Sequence, residues 1–370
     1  VRLLHVITGL GTGGAETALA RLVEGTAGAV QQRVVALGPD GPIAASLAAR
    51  VPVETLGASS VGGLPSAIAR LRTIVAEWRP DVLQGWMYHG NVVATLAARG
   101  RPVLWGVRQC LTSLADERPG TRLAILGGVP LSRRARRIMY NSALSAVQHE
   151  RLGYAGARRL VLPNGFDTAQ FGPDAEARRR VRAALGIPAE AVVLVHLARA
   201  HPVKDHAGLA AAVVPLLSQR PALHVLLAGN GVDASYAPLA PLRGHVRVHL
   251  LGERADVPAL LAASDVLCLT SRAEAFPNVV GEAMASGLVV VTTEVGDVKA
   301  LVGDDGLLVP PGDVAALAEA LARATGMEPA RRRDIGSRLR ARIDERFTLR
   351  AMCDGFVGAW GDALAETRRA

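Results

Sequence analysis

The sequence predicts an α/β protein of two domains, each a parallel β-sheet wrapped by helices, facing one another across a cleft. Three observations predict it. The chain has 370 residues, too many for one ordinary core and a fit for two. Short apolar runs alternate with longer helical stretches, the pattern of parallel strands covered on both faces. The alternation occurs twice, on either side of the turn-rich segment Leu162-Pro163-Asn164-Gly165-Phe166-Asp167. Two such halves place ligands beyond the carboxyl ends of their strands.

Taken in order, residues 2–8 read as a buried strand, followed by a glycine loop and a helix over 15–24. Residues 33–37 read as a strand, 65–77 as a helix, 81–84 as a strand and 91–98 as a helix. Further strands are expected at 103–107 and 137–141. The second series opens with a strand at 191–197 and continues at 223–228, 246–250, 265–270 and 288–292. The arginine-rich end, from 331 onward, reads as helical. Domains are therefore expected at 1–165 and 166–345, with 346–370 a terminal helix packing back on the first.

Half of the residues are hydrophobic and a fifth charged, the balance of a folded chain. The formal net charge of +9 and a pI near 10.4 favour anionic partners. Aromatic residues make up only 4%, and no basic stretch interleaves them for base stacking, which argues against nucleic acid. Cys110, Cys268 and Cys353 are scattered, so neither a disulfide framework nor a zinc site is expected, and the setting reads as reduced and cytoplasmic. The opening apolar run is too short for a signal peptide. No run approaches the roughly 18 apolar residues of a membrane span, so membrane contact is expected to be peripheral, at the inner face.

Gly9-Leu10-Gly11-Thr12-Gly13-Gly14 matches Gly-x-Gly-x-x-Gly between a strand and a helix. Glycines there let backbone N–H groups approach an anion at the positive helix end. A dinucleotide site also calls for an acidic residue closing the second strand. That strand ends Ala36-Leu37-Gly38-Pro39, with Asp40 beyond it. NAD binding, a tight turn without a ligand, and a loop touching a donor at Gly13 and Gly14 all stay open on this motif alone.

The stretch 270–287, Thr-Ser-Arg-Ala-Glu-Ala-Phe-Pro-Asn-Val-Val-Gly-Glu-Ala-Met-Ala-Ser-Gly, is the most informative. Pro277 breaks the loop after a strand, Asn278 is a good N-cap and Gly287 a good stop, so a helix is expected over 279–286. Its free N–H groups and positive dipole end suit a diphosphate. Glu274 precedes the helix and Glu282 lies one turn inside it, near the face of Asn278. Carboxylates accept hydrogen bonds from hydroxyls, which suits sugar and ribose recognition. The alternative is two solvated carboxylates.

Glu274, seven residues, then Glu282 followed by Ala-Met-Ala-Ser-Gly resembles the signature of family 4 retaining glycosyltransferases. The Gly13-Gly14-Ala15-Glu16 loop, Pro163-Asn164-Gly165 with Asp167 and Phe171, and Arg199 with Lys204 agree with it in the expected order. The resemblance spans nearly the whole chain. It implies the GT-B architecture: two Rossmann-like domains, the first on the acceptor side and the second binding a nucleotide-sugar. It implies that Glu274 contacts the donor sugar, that Glu282 contacts the ribose, and that Phe276, Pro277, Asn278, Val279 and Val280 wrap the diphosphate and sugar. The family often has glycine after the first Glu; Ala275 stands here.

Arg199 and Lys204 lie five apart on the loop after the first strand of the second half. Two cations there can neutralise a diphosphate, Arg as a bidentate fork and Lys as a point charge, and the resemblance implies that role. They are otherwise a pair of surface cations. No Asp-x-Asp occurs, so a carboxylate-bound metal has no obvious ligands. No cofactor is expected, the nucleotide-sugar being a co-substrate.

The stretches 86–91 and 102–110 close two strands on the acceptor side. Where family members carry a His after the later strand, Arg108 stands here, and Arg is no base at neutral pH. His89 is a substitute, with a packed or capping His as the alternative. Residues 250–254, with Leu251, are expected in the base pocket. The runs Arg133-Arg134 with Arg136-Arg137, 178–180 and 331–333 read as solvated helix faces or as docking sites for anionic lipid.

The chain thus reads as a retaining, metal-independent transferase. It would move a hexose or N-acetylhexosamine, from a UDP-sugar before GDP-mannose, to a glycan, lipid-linked or small-molecule acceptor. A lean towards capsular and exopolysaccharide synthesis goes with it. The rivals are a sugar-nucleotide epimerase or phosphorylase of the same architecture, a non-catalytic nucleotide-sugar binder, and a dehydrogenase.

Overall fold

The computed structural model describes residues 1–58 and 61–369, so Ala370, the last residue of the expected terminal helix, lies outside the described residues. The chain divides into two compact units, Val1–Gly165 with Leu349–Ala370, and Phe166–Thr348.

The first unit is built from β1 (Arg2–Ile7), α1 (Gly14–Gly25), β2 (Gln31–Ala36), α2 (Ala44–Ala48), β3 (Val53–Thr55), α3 (Leu64–Trp78), β4 (Val82–Trp86) and α4 (Met87–Ala97). It continues with β5 (Val103–Val107), α5 (Pro119–Leu131), β6 (Arg137–Tyr140), α6 (Ala143–Leu152) and β7 (Arg159–Val161). Among the described residues its seven strands are ordered β3-β2-β1-β4-β5-β6-β7, and every pairing is parallel. Parallel neighbours need helical crossovers, so both sheet faces are covered. Alternation along β1 shows this: Leu4 and Val6 enter the core with α3 and α4, whereas Leu3 and Ile7 enter the opposite core with α1.

The second unit holds α7 (Ala175–Ala184), β8 (Val192–Leu197), α8 (His206–Gln219), β9 (Leu223–Ala228), β10 (Val248–Leu250), α9 (Val257–Ala262) and β11 (Val266–Leu269). It ends with α10 (Asn278–Ala285), β12 (Val289–Thr293), α11 (Val298–Val302), β13 (Leu307–Val309), α12 (Val314–Thr325) and α13 (Pro329–Arg346). The order is β10-β9-β8-β11-β12-β13, again all parallel. The last helix, α14 (Leu349–Arg369), belongs to the first unit, where Phe356 and Trp360 fill the core beside α1. Trp360 Nε1 donates to Gln84 Oε1 on β4 at 3.1 Å.

In each unit the winding reverses beside the first strand. Strands β1 and β4 flank the reversal in the first, β8 and β11 in the second. In open α/β sheets ligands bind beyond the carboxyl ends of the strands that flank such a reversal.

Several boundaries differ from the sequence reading. Strand β4 runs to Trp86, and helix begins at Met87 instead of residue 91. Met87 makes the turn with φ of 59°. Gly90 lets the first turn lie against β1, since a Cβ there would stand 2.5 Å from the Val6 carbonyl oxygen. Asn91, buried, bonds both backbone groups of Gly106 on β5 at 3.2 Å. The strand expected from 246 starts at Val248, and Val246 is exposed on the preceding turn. Asn278 is the first residue of α10 and not its cap; Pro277, extended at φ −73° and ψ 116°, holds that place.

Candidate functional site

In the second unit the loops after β8 and β11 lie together at the switch point. The first carries Arg199, exposed, and Lys204, half-buried. The second carries Glu274, then α10. Lys204 Nζ donates to Glu274 Oε1 at 2.5 Å, and Ser271 Oγ donates to the same oxygen at 2.7 Å. The loops are tied along their backbones: Arg272 N to Val203 O at 2.7 Å, and Thr270 Oγ1 to Lys204 O at 2.7 Å. Thr293 Oγ1 at the end of β12 holds Ser271 O at 2.6 Å. Asp205, at φ 48°, caps α8 and pairs with Arg272 at 3.2 Å.

A third loop, after β12, closes under Glu274. Asp297 N donates to Ala275 O at 3.0 Å. Gly296 has φ of 56°, and a Cβ there would stand 2.2 Å from the Glu274 carbonyl oxygen, so only glycine fits.

The run 276–280 splits by face. Phe276 packs on Phe166, their rings 6.3 Å apart, and on Phe347 at 5.6 Å; Val280 is wholly buried. These side chains serve the core, and the run offers a ligand its backbone. Pro277 is buried, and Asn278 and Val279 are half-buried. The capping residue makes no side-chain hydrogen bond to the first turn of α10, and the positive end of the helix dipole there favours an anion. Glu282 is 9% exposed, one turn in. Leu251, half-buried after β10, donates its N–H to Leu227 O at 2.9 Å, and Gly252 O accepts from Gly229 N at 2.8 Å. That turn packs beside the Arg199 loop, where Ala200 N donates to Asn230 O at 2.8 Å.

Beneath the Lys204 loop, His196 and His206 stand edge to face at 4.8 Å. Burial, and for each the nearby Lys204 ammonium, pushes both imidazoles below their ordinary pKa, so both are neutral at neutral pH. They add no charge to that of Lys204.

In the first unit Gly13 and Gly14 are exposed at the start of α1, Gly13 being its N-cap. A Cβ on Gly13 would stand 2.4 Å from Glu16 Oε2, so the loop closes on that carboxylate. His89 lies in the first turn of α4, half-buried. Burial lowers its pKa, opposed by a hydrogen bond to the Gly120 backbone. Arg108 follows β5, but its guanidinium is stacked inside the unit, 5.6 Å from the Trp86 ring and 5.2 Å from that of Phe356. Nη1 donates to Leu162 O at 3.0 Å, while Nε and Nη2 are closed off from solvent without a partner. Burial lowers its pKa to about 10, which leaves it a cation at neutral pH.

The sequence reading missed Ser271, Thr293 and Gly296. Their one signal was a glycine in the turn after β12, Glu294-Val295-Gly296-Asp297, following an apolar run.

Two family models match the chain: "Glycosyltransferase Family 4" over residues 12–170 and "Glycosyl transferases group 1" over 191–326. The chain is 31% identical to the D-inositol 3-phosphate glycosyltransferase of Saccharomonospora viridis over 69% of its own length and 62% of that protein's. It is 29% identical to the UDP-Gal:alpha-D-GlcNAc-diphosphoundecaprenol alpha-1,3-galactosyltransferase of Escherichia coli over 45% of this chain and 44% of that one. The chain thus spans less than two thirds of these curated relatives. The crystal structure of Anabaena Alr3699/HepE in complex with UDP superposes with a TM-score of 0.84 over 98% of this chain and all of that one, at 24% identity. Both halves matched in order, on two parallel-sheet α/β units of GT-B type, show that the chain belongs to the family 4 glycosyltransferases.

Proposed function

We propose that the chain transfers a hexose or N-acetylhexosamine from a nucleotide-diphospho-sugar, a UDP-sugar in preference to GDP-mannose, to a hydroxyl of a glycan, lipid-linked or small-molecule acceptor. Peripheral contact with anionic membrane and a role in polysaccharide synthesis belong to the same reading. The carrying observation is the Lys204–Glu274 pair, which joins the loop after β8 to the loop leading into α10 at the switch point of the second unit. The UDP bound by the Anabaena protein and the UDP-Gal in the E. coli relative's name support the choice of base.

In this reading Arg199, Lys204 and the first N–H groups of α10 hold the diphosphate. Glu274 accepts from sugar hydroxyls, Glu282 from the ribose, and the turn at Leu251 borders the base. Gly13 and Gly14 offer the donor backbone N–H groups. His89 is the acceptor-side group, and Arg108 acts as a positioning residue for Trp86. The bond from C1 of the sugar to the β-phosphate oxygen breaks, and the acceptor oxygen bonds C1 on the same face. The acceptor proton passes to the leaving phosphate. Cations in place of a metal stabilise the charge that develops there, and no cofactor takes part.

The test is release of nucleoside diphosphate from UDP-sugars with EDTA present, with the anomeric configuration of the product read by NMR. Acceptor-dependent release with retained configuration supports the proposal. Free sugar formed without any acceptor would favour the epimerase, and loss of turnover in EDTA would overturn metal independence.

A further inference from the structure

Peripheral membrane contact has no location in the reading above, and the arginine runs alone do not supply one. In the second unit Arg178 and Arg182 are spent on Asp265, each at 2.8 Å. In the first unit Arg137 pairs with Glu366 at 2.6 Å. Its neighbours differ. Arg101, Arg134 and Arg136 line an open pocket of about 200 Å³ with Thr95, and among the described residues none of the three pairs with a carboxylate. The pocket lies where β5 and β6 begin, at the amino edge of the first unit's sheet.

Helix α5 leads to this pocket. Its inward face, Ala124, Ile125 and Gly128, is buried. The outward face of a surface helix is ordinarily charged. Here Leu123 is 59% and Leu126 49% exposed, Gly127 and Pro130 are exposed beside them, and α5 contains no acidic residue. The same face runs on to Arg133 and Arg134, both exposed.

We propose that the outward face of α5 and the Arg101–Arg134–Arg136 pocket form a docking surface for an anionic phospholipid bilayer. Leu123 and Leu126 enter the boundary between headgroups and acyl chains, and the pocket takes a headgroup phosphate, which guanidinium forks recognise. A second copy is the wrong occupant, because it carries the same +9 charge and would be repelled. Among the described residues no helix is long and apolar enough to cross a membrane, so docking of this kind is surface binding.

The test is sedimentation of the full chain with vesicles of phosphatidylglycerol or of phosphatidylcholine at low salt. No nucleotide-sugar is present, so the outcome is separate from that of the transferase reading. The wild type is expected to bind the anionic vesicles alone. Arg101→Gln/Arg134→Gln/Arg136→Gln should weaken partitioning on the order of a hundredfold, at about one factor of five per cation. Leu123→Ser/Leu126→Ser should weaken it roughly tenfold or more. Both variants change largely exposed positions, and wild-type thermal unfolding would confirm that they fold. Equal binding to both vesicles, no binding, or binding unchanged in both variants would overturn the proposal. So would stabilisation by inorganic phosphate that depends on the three arginines without vesicle binding, which would mark a soluble-anion site.

Discussion

Lys204 Nζ lies 2.5 Å from Glu274 Oε1, and the Ser271 hydroxyl bonds the same oxygen. Both contacts fall on the same oxygen, Oε1, and neither on Oε2. The ammonium is held by a residue of a different loop, the one that leads into α10. Lys204→Ala removes the cation and leaves the Glu274 carboxylate without its ion-pair partner. Turnover of the donor should fall by about a hundredfold or more, near the ~3 kcal/mol typical of one preorganised electrostatic group. Steady-state release of nucleoside diphosphate measures it, and near-normal turnover would refute the assignment.

Gly296 is expected to be irreplaceable for a steric reason. Alanine would need a left-handed backbone and would drive its Cβ into the carbonyls of Glu274 and Ala275. Gly296→Ala should cost ~1–3 kcal/mol in urea unfolding. It should also weaken donor binding by moving Glu274. A variant with wild-type stability and affinity would show that the loop is not fixed as described.

Asp265 is a structural prediction. Arg182 is 3% exposed and gives its donors to Asp265 and to the carbonyls of Pro188, Ala189, Ala191 and Ala263. Asp265→Ala strands that buried charge and should destabilise by about 3–5 kcal/mol. Asp265→Ala/Arg182→Met should recover part of the loss. Denaturant midpoints of the two variants decide it, and equal midpoints would argue against a stranded charge.

His5 predicts a pH dependence. The Trp86 indole can only donate, so its 3.1 Å bond makes His5 Nδ1 an acceptor; Nε2 then carries the proton and donates to Gln32 Oε1 at 3.1 Å. Burial lowers the pKa to about 4, the Gln32 bond opposing it. The unfolded state therefore binds the proton first as pH falls. Stability from this group is intact above about 6.5 and declines towards pH 4, by about 3 kcal/mol at most. His5→Gln should flatten that part of the stability profile even if its overall stability is lower; an unchanged slope would contradict the assignment.

Much of the sheet was legible because buried parallel strands leave apolar runs, as at β1, β8 and β11. Three-residue strands such as Val53–Thr55, Arg159–Val161 and Leu307–Val309 are too short to show a period. Helix α5 was hidden by Gly127, Gly128 and Pro130, poor helix formers that packing overrides. The start of α4 was hidden because nothing in Met87 announces a positive φ. In the site, the charges and the helix were readable in sequence, but the contact of Lys204 with Glu274, 70 residues apart, was not. Arg108 stands where family members carry a His, and stacking on Trp86 and Phe356 turns it inward, a contact no local pattern encodes.

A nucleotide-sugar site on α10 is read out by thermal unfolding. UDP, GDP, ADP, dTDP and NAD would each be added in EDTA to the wild type and to Glu282→Ala. A ligand at about a hundred times its dissociation constant adds ~2.7 kcal/mol, enough to raise the midpoint by a few degrees. UDP is expected to stabilise the wild type and to leave Glu282→Ala unchanged. Stabilisation by NAD alone, or equal stabilisation of both proteins by UDP, would contradict it.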